Sequence, residues 1–376
     1  MIDWLLSGAH TVLSFALVIS VIVFIHEFGH FWVARRCGVK VEVFSIGFGR
    51  ELLGRTDRHG TRWKLALWPL GGYVKMYGDA GAASTADLKR LDQMSPEQRM
   101  LSFHHKPLWQ KSLIVVAGPA ANFLLAIAVF TYFIFTVGLA STEPVVGGIV
   151  KNSPAQIAKL KEGDRILKVD DTRIHTFNDI PAAIATNLGT PVMLTVKRGH
   201  EKFTVQLTPK EISEKDVLGN PVKRPLIGLR SQQIVYEDVG LLSAVGAATA
   251  RTYDMCETSL KMLGQMITGK RGADELKGPL GIAKMSGEVT RQGDTWEQTL
   301  RMFLWFVALL SVNLGMVNLF PIPMLDGGHL AFYCIEAVRG RPLAERFQEY
   351  SFRFGFAVIA CLMAFTLFND VKHIFS

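Results

Sequence analysis

His26-Glu27-Phe28-Gly29-His30 sets two imidazoles four residues apart, with a carboxylate beside the first. On an α-helix the two histidines share one face and can reach a single metal ion. Glu27 stands where it could take a proton from a metal-bound water. The flanking residues sharpen this reading, because Val21 to Val33 is otherwise apolar and belongs to a run of membrane-spanning length. A charged side chain near the bilayer centre costs roughly 2.5–3.5 kcal/mol on insertion scales, so polar groups kept there usually have a function. The plain alternative is a pair of neutral histidines hydrogen-bonded to neighbouring helices.

A catalytic zinc takes three protein ligands and leaves one position for water, so the histidine pair needs a partner. The best candidate is Asp326, in Asn318-Leu319-Phe320-Pro321-Ile322-Pro323-Met324-Leu325-Asp326-Gly327-Gly328-His329. His329 is a rival ligand and Glu336 a weaker one. Pro321 and Pro323 prevent regular helix and Gly327-Gly328 permits a sharp bend, which predicts unwound backbone here. Such backbone is tolerated at membrane depth only where protein or a water-filled cavity satisfies it.

The elements that must carry these groups are membrane spans. A bilayer needs about 20 predominantly apolar residues per helix, and segments at roughly 8–33, 112–139, 302–325 and 354–369 qualify, the last being short. The first lacks the basic start and the cleavage site of a signal peptide and is read as retained. A positive mean hydropathy agrees with an integral membrane protein that has soluble portions. The net charge of +8 does not argue for nucleic acid, because the basic residues lie in loops beside apolar segments and not among aromatics in one patch. Cys37, Cys256, Cys334 and Cys361 supply neither a zinc-finger spacing nor a disulfide framework.

Charge also orients the spans. No Lys or Arg precedes the first, whereas Arg35, Arg36 and Lys40 follow it, and Lys106 and Lys111 flank the second. The 34–111 segment is therefore expected in the cytoplasm and 140–301 outside it. Arg339, Arg341, Arg346 and Arg353 put the last connection in the cytoplasm again. On that topology the first and third spans both run inward, so His26, His30 and Asp326 reach similar depth.

The expected organisation is a first span with the His-Glu-x-x-His motif (1–33), then a cytoplasmic or membrane-associated β-hairpin region and loop (34–111). A second span (112–139), a compact α/β module (143–230) and an amphipathic helical region (231–301) follow. The third span ends in the third-ligand motif (302–325), a cytoplasmic connection covers 326–353, and the fourth span and C-terminus fill 354–376. Within 34–111, Val39 to Phe48 and Thr61 to Met76 read as β-rich runs punctuated by Gly47, Gly49, Gly71 and Gly72, and 79–105 as a polar loop with a short helix. In the module, strands are expected near 147–150, 165–169, 191–197 and 202–208, with helices after Ser153 and near Asp179 to Thr186.

With these residues assembled, the chain resembles the site-2 protease family of intramembrane zinc metalloproteases, in its bacterial RseP type. The likeness covers nearly the whole chain. It rests on the His26 to His30 motif, on Trp68-Pro69-Leu70-Gly71-Gly72-Tyr73-Val74-Lys75-Met76, and on Gly118-Pro119-Ala120-Ala121-Asn122-Phe123. Gly278-Pro279-Leu280-Gly281-Ile282-Ala283 and the Asn318 to His329 stretch complete it. The resemblance implies one zinc per chain held by His26, His30 and Asp326, with Glu27 as acid/base. It implies that Asn318 and the Pro321/Pro323 segment help to hold the substrate backbone. The 143–230 module resembles a PDZ domain of periplasmic proteases, one where many relatives of this type carry two.

The fold class expected is thus a mainly α-helical membrane protein with four transmembrane helices, a membrane-associated β-hairpin region and one periplasmic PDZ-like α/β domain. The resemblance places it in a bacterial inner membrane with the active site toward the cytoplasm. It implies hydrolysis of single-span membrane proteins already shortened by another protease, such as an anti-sigma factor, or of remnant signal peptides. The hairpin edge around Gly71 and Gly72, with Asn318, is expected to clamp unwound substrate as an added β-strand, and the PDZ-like module to meet a substrate C-terminus or act as a steric gate. Two other classes compete: a metal transporter, which has little need of Glu27, and a non-enzymatic membrane scaffold, which needs none of the ligands.

Overall fold

The computed structural model describes residues 2–81, 86–141, 143–185, 187, 189–215, 221–231, 235–272 and 276–375. It is mainly helical, and four helices are long and apolar enough to cross a membrane: 8–36, 108–137, 296–318 and 346–372. The chain divides into two compact units, one of residues 1–129 and 277–376 and the other of 130–276.

The first unit begins with α1 (Ile2–Arg36), which closes on Arg35 and Arg36. Two cations in the last turn suit the negative end of the helix dipole, and Gly38 follows at φ +69°. Two long strands come next, β1 (Val41–Thr56) and β2 (Arg62–Met76). Each is used twice. Residues 41–46 pair on one side with 72–76 and on the other with 62–65, while 51–56 pair with 62–66. The ladder can fold back because Gly47 and Gly49 hold φ of +87° and +88°, in the left-handed region that favours glycine. Along its far edge, 72–76 pairs with no other strand among the described residues.

Short helices α2 (Leu88–Asp92) and α3 (Pro96–Leu101) lie within the segment expected as a polar loop, and residues 82–85 of that loop fall outside the described residues. The helix α4 (Leu108–Val137) contains Pro119. Phe31, Val41, Phe44, Val74, Met76, Phe103 and Ile114 form one core where α1, the sheet and the start of α4 meet.

The second unit holds the strands β3 (Leu139–Ser141) and β4 (Val146–Ile149), the helix α5 (Pro154–Ile157), then β5 (Arg165–Val169) and β6 (Thr172–Arg173). After α6 (Asp179–Ile184) come β7 (Val192–Arg198), β8 (Glu201–Leu207), β9 (Lys210–Lys215), β10 (Pro221–Leu226), β11 (Leu229–Ser231) and β12 (Val235–Glu237). Thr186, expected to end the helix now seen as α6, lies outside the described residues. An antiparallel sheet of order β6-β5-β7-β8 carries Ile166, Val169, Val192, Leu194 and Val196 into a core shared with Ile180, Ile184 and Ile227. The strands β4 and β11 pair beside it, with β9–β10 and β3–β12 as further antiparallel pairs. The helix α7 (Leu241–Ile267) buries the small residues Ala244, Ala248 and Thr252, spaced by one turn.

Back in the first unit, α8 (Pro279–Val289) starts on Pro279, whose missing N–H is no loss at a helix start. Its first turn is capped from afar: Asp370 accepts from the amides of Gly278 (3.0 Å) and Gly281 (2.9 Å). The helices α9 (Trp296–Asn318), α10 (Asp326–Arg339) and α11 (Glu345–Phe375) complete the unit.

The structure departs from the sequence expectation at several points, and β1 runs on to Thr56 where the β-rich run was expected to end at Phe48. The third span ends at Asn318 and not at 325, because Pro321 and Pro323 cannot donate and Pro321 biases Phe320 away from helix. Gly327 and Gly328 do not bend; they sit helically in the first turn of α10, and the positive φ falls on Met324 at +85°. Both glycines are buried, and a Cβ on either would strike the carbonyl of Leu319 or Ile322, so they serve close packing. The fourth helix is far longer than 354–369, since Arg346, Glu349 and Arg353 extend it as a polar-tipped turn, with Arg353 and Glu349 paired at 2.6 Å.

Candidate metal centre

The helix α1 places His26 and His30 on one face, one turn apart, with their Nε2 atoms 3.2 Å from each other. The turn after α9 brings Asp326 to them from across the sequence. Its Oδ2 lies 3.2 Å from Nε2 of His26, and its Oδ1 lies 3.5 Å from Nε2 of His30. Among the described residues this is the group of three side chains able to share a metal ion.

Close approach of α1 and α4 makes this possible. A Cβ on Gly29 would strike the main chain of Ala117, and one on Gly118 would strike the His30 ring. Earlier on α4, the carbonyl of Ile114 meets Nδ1 of His30 at 2.8 Å. A carbonyl can only accept, so Nδ1 carries a proton, and Nε2 is the ring atom that faces Asp326 and is available to a metal. On His26 the Nδ1 atom faces the amide of Asn122 at 3.2 Å.

The donor set fits zinc. Ligand atoms about 2.0–2.1 Å from a tetrahedral ion are about 3.3–3.4 Å apart; the two Nε2 atoms are 3.2 Å apart, and the Asp326 carboxylate comes within 3.2 Å of one through Oδ2 and 3.5 Å of the other through Oδ1. Asp326 Oδ2 is buried with no donor directed at it, although the His26 ring is close. Acceptors converging without a donor are costly unless a cation sits among them.

These groups open into a cavity of about 530 Å³ that Glu27, Gly71, Gly72, Val74 and Asn318 also line. The backbone amide of Val74 faces the Glu27 carboxylate. Gly72 is needed there, since a Cβ would come within 2.7 Å of the Ser45 carbonyl and 3.1 Å of Glu27 Cγ. Asn318 places its Nδ2 3.4 Å from Nε2 of His26.

The other expected residues fall differently. Pro321 and Pro323 are not among the cavity residues, and Pro323 instead backs onto Gly328 and Gly355. His329, one turn beyond Asp326, lines the cavity, and burial holds its ring below the usual histidine range despite the nearby Asp326 carboxylate. Glu336 accepts from the Leu343 amide at 3.0 Å, a structural bond at the far end of α10. Sequence reasoning assigned no separate role to Gly118 or to the Asn122 side chain, although their four-residue spacing on one span was a signal, nor to Tyr333, which also lines the cavity.

A helical membrane protein with this donor set and a carboxylate beside it has the make-up of a metallopeptidase. The profile of Peptidase family M50 matches residues 14–362. The chain is 39% identical over 370 residues to a "putative zinc metalloprotease" of Rhizobium meliloti (strain 1021), covering 97% of each protein. It is 40% identical over 369 residues to another so named from Mesorhizobium japonicum, covering 96% of this chain and 98% of that one. To metalloprotease MmpA of Caulobacter vibrioides it is 40% identical over 378 residues, covering 96% and 94%. The chain belongs to peptidase family M50, the site-2 proteases, and is a zinc metalloprotease.

Proposed function

We propose that this protease hydrolyses peptide bonds within or near the transmembrane segments of single-span membrane proteins, with zinc held by His26, His30 and Asp326. The observation that carries the reading is the opening of these three side chains and Glu27 into one cavity that the unpaired edge of β2 also borders. Bound zinc supplies Lewis acidity, lowering the pKa of a water from 15.7 to about 7 and polarising a carbonyl. Glu27 takes the proton of the attacking water and returns it to the leaving amine.

A transmembrane helix has its amides bonded internally and must be unwound before attack. Residues 72–76 have no further strand partner among the described residues. Although the Val74 amide faces Glu27 and Asp79 takes the Met76 amide, unwound substrate can pair beside Gly72 as an added strand. Gly71 and Gly72 let its backbone come close, and the Asn318 amide donates to it. Pro321 and Pro323 contribute by ending α9 at Asn318 and holding Asp326 in place.

In the orientation we favour, the basic end of α1 faces the cytoplasm of a bacterial inner membrane, and the 143–230 module lies outside as a PDZ-like domain. The left-handed Gly228 and the short strand β11, whose one described partner is β4, support a role in meeting a free substrate C-terminus. Substrates already shortened by another protease, among them anti-sigma factors or remnant signal peptides, have such ends.

The test compares wild type with Glu27→Gln on a tagged single-span substrate in proteoliposomes, with zinc content measured for both. Glu27→Gln should retain zinc and lose cleavage. Equal cleavage by the two proteins would sink the proposal.

A further inference from the structure

Asn122 is fully buried in the middle of α4. Its Nδ2 stands 3.2 Å from Nδ1 of His26, the ring nitrogen opposite the one that faces His30 and Asp326. Its Oδ1 is buried with no hydrogen-bond partner. The residue itself is held firmly, because its main-chain carbonyl accepts from Ser311 Oγ on α9 at 2.9 Å.

An imidazole that gives its Nε2 lone pair to a metal carries its remaining proton on Nδ1, and that proton needs an acceptor. An NH2 group cannot accept. The two ends of a carboxamide have the same shape, so rotating the group by half a turn exchanges them. Oδ1 then meets the Nδ1–H of His26, and the oxygen that lacked a donor gains one, the NH2 taking the buried position.

We propose that Asn122 is a positioning residue of the metal centre, whose Oδ1 accepts from Nδ1–H of His26 and leaves Nε2 free for zinc. This rests on the reading of His26 as a zinc ligand. His30 is served in the same way by the Ile114 carbonyl. The two devices differ in kind: a main-chain carbonyl serves His30, and a side-chain carboxamide serves His26. Gly118 lies between the two devices without a Cβ, which leaves room for both rings.

The experiment measures zinc affinity of the full-length protein in detergent by competition with a chelator, for wild type, Asn122→Asp, Asn122→Leu and Asn122→Ala. Aspartate keeps an acceptor at the ring and should hold zinc at least as tightly as wild type. Leucine and alanine remove it and should weaken affinity by about 10–100-fold, the usual cost of losing such a partner. The alanine variant carries the same expectation should the leucine side chain disturb folding. Affinity unchanged in Asn122→Ala, or as weak in Asn122→Asp as in Asn122→Leu, would overturn the proposal. A His26→Ala control separates the two levels: if it binds zinc as wild type does, the ligand assignment has failed and the role of Asn122 falls with it.

Discussion

His30 donates from Nδ1 to the main-chain carbonyl of Ile114, 2.8 Å away on a different membrane helix. The bond ties the chemistry of α1 to the backbone of α4. It makes the orientation of one imidazole depend on how closely two spans approach.

Gly118 sets that approach. A Cβ there would collide with the His30 ring and come within 2.9 Å of His26 Cε1. Gly118→Ala should weaken zinc binding by about tenfold or more, in line with displaced ligand support, and Gly118→Leu should abolish it. Chelator competition on the purified variants measures this, and wild-type affinity in Gly118→Leu would contradict the packing described.

Gly72 tests the edge of β2 separately from the metal. Gly72→Val would press on Val23, the Ser45 carbonyl and Glu27. Cleavage should fall by about 100-fold, the scale of a 1 Å misplacement of reacting groups, while zinc content stays at the wild-type level. Loss of zinc in parallel would mean that the strand supports the ligands and not the substrate.

Asp370 binds the start of α8 through two amides, those of Gly278 and Gly281. Hydrogen bonds to a charged group contribute about 1.5–3 kcal/mol each. Asp370→Leu should therefore lower the thermal unfolding midpoint markedly, with Asp370→Asn in between. Equal midpoints would show that water replaces the clamp.

In the second unit the Asp164 carboxylate is buried against Arg198, with Oδ1 2.7 Å from Nε. Burial by itself would raise its pKa, but the guanidinium and the Lys161 amide outweigh that and hold it below the ordinary 3.8. A folded-state pKa below the unfolded one gives stability that is present above about pH 4 and lost as pH falls through the folded value. Hydrogen exchange of residues 160–200 in the full protein should show protection declining on acidification in that window, and Asp164→Asn should remove the dependence. An unchanged acid profile in the variant would reject the assignment.

Much of this was legible in the sequence because its signals are local. His26 and His30 are one helical turn apart, so their shared face needs no tertiary information. Apolar runs of bilayer length mark the spans, although the sequence reading carries the third to 325, past the prolines at 321 and 323 beyond which α9 cannot continue. Gly327 and Gly328 misled, because a glycine pair reads equally as a bend or as a close contact, and only the backbone packed against it distinguishes them. The folding of β1 and β2 back on themselves was hidden for a related reason, since alternation reports a strand but not which of two partners each half takes.

The sequence by itself determined the metal-binding turn, the number of apolar spans and a short set of candidate third ligands. Only the tertiary structure shows which of those candidates lies beside both histidines, and it is Asp326. Asp326 lies 296 positions beyond His30 in sequence, and their 3.5 Å separation is set by how α1, α4 and α9 pack. The same packing placed Ile114 and Asn122 behind the histidines. Ring orientation and tautomer are properties of the facing atoms, and no spacing along one helix encodes them.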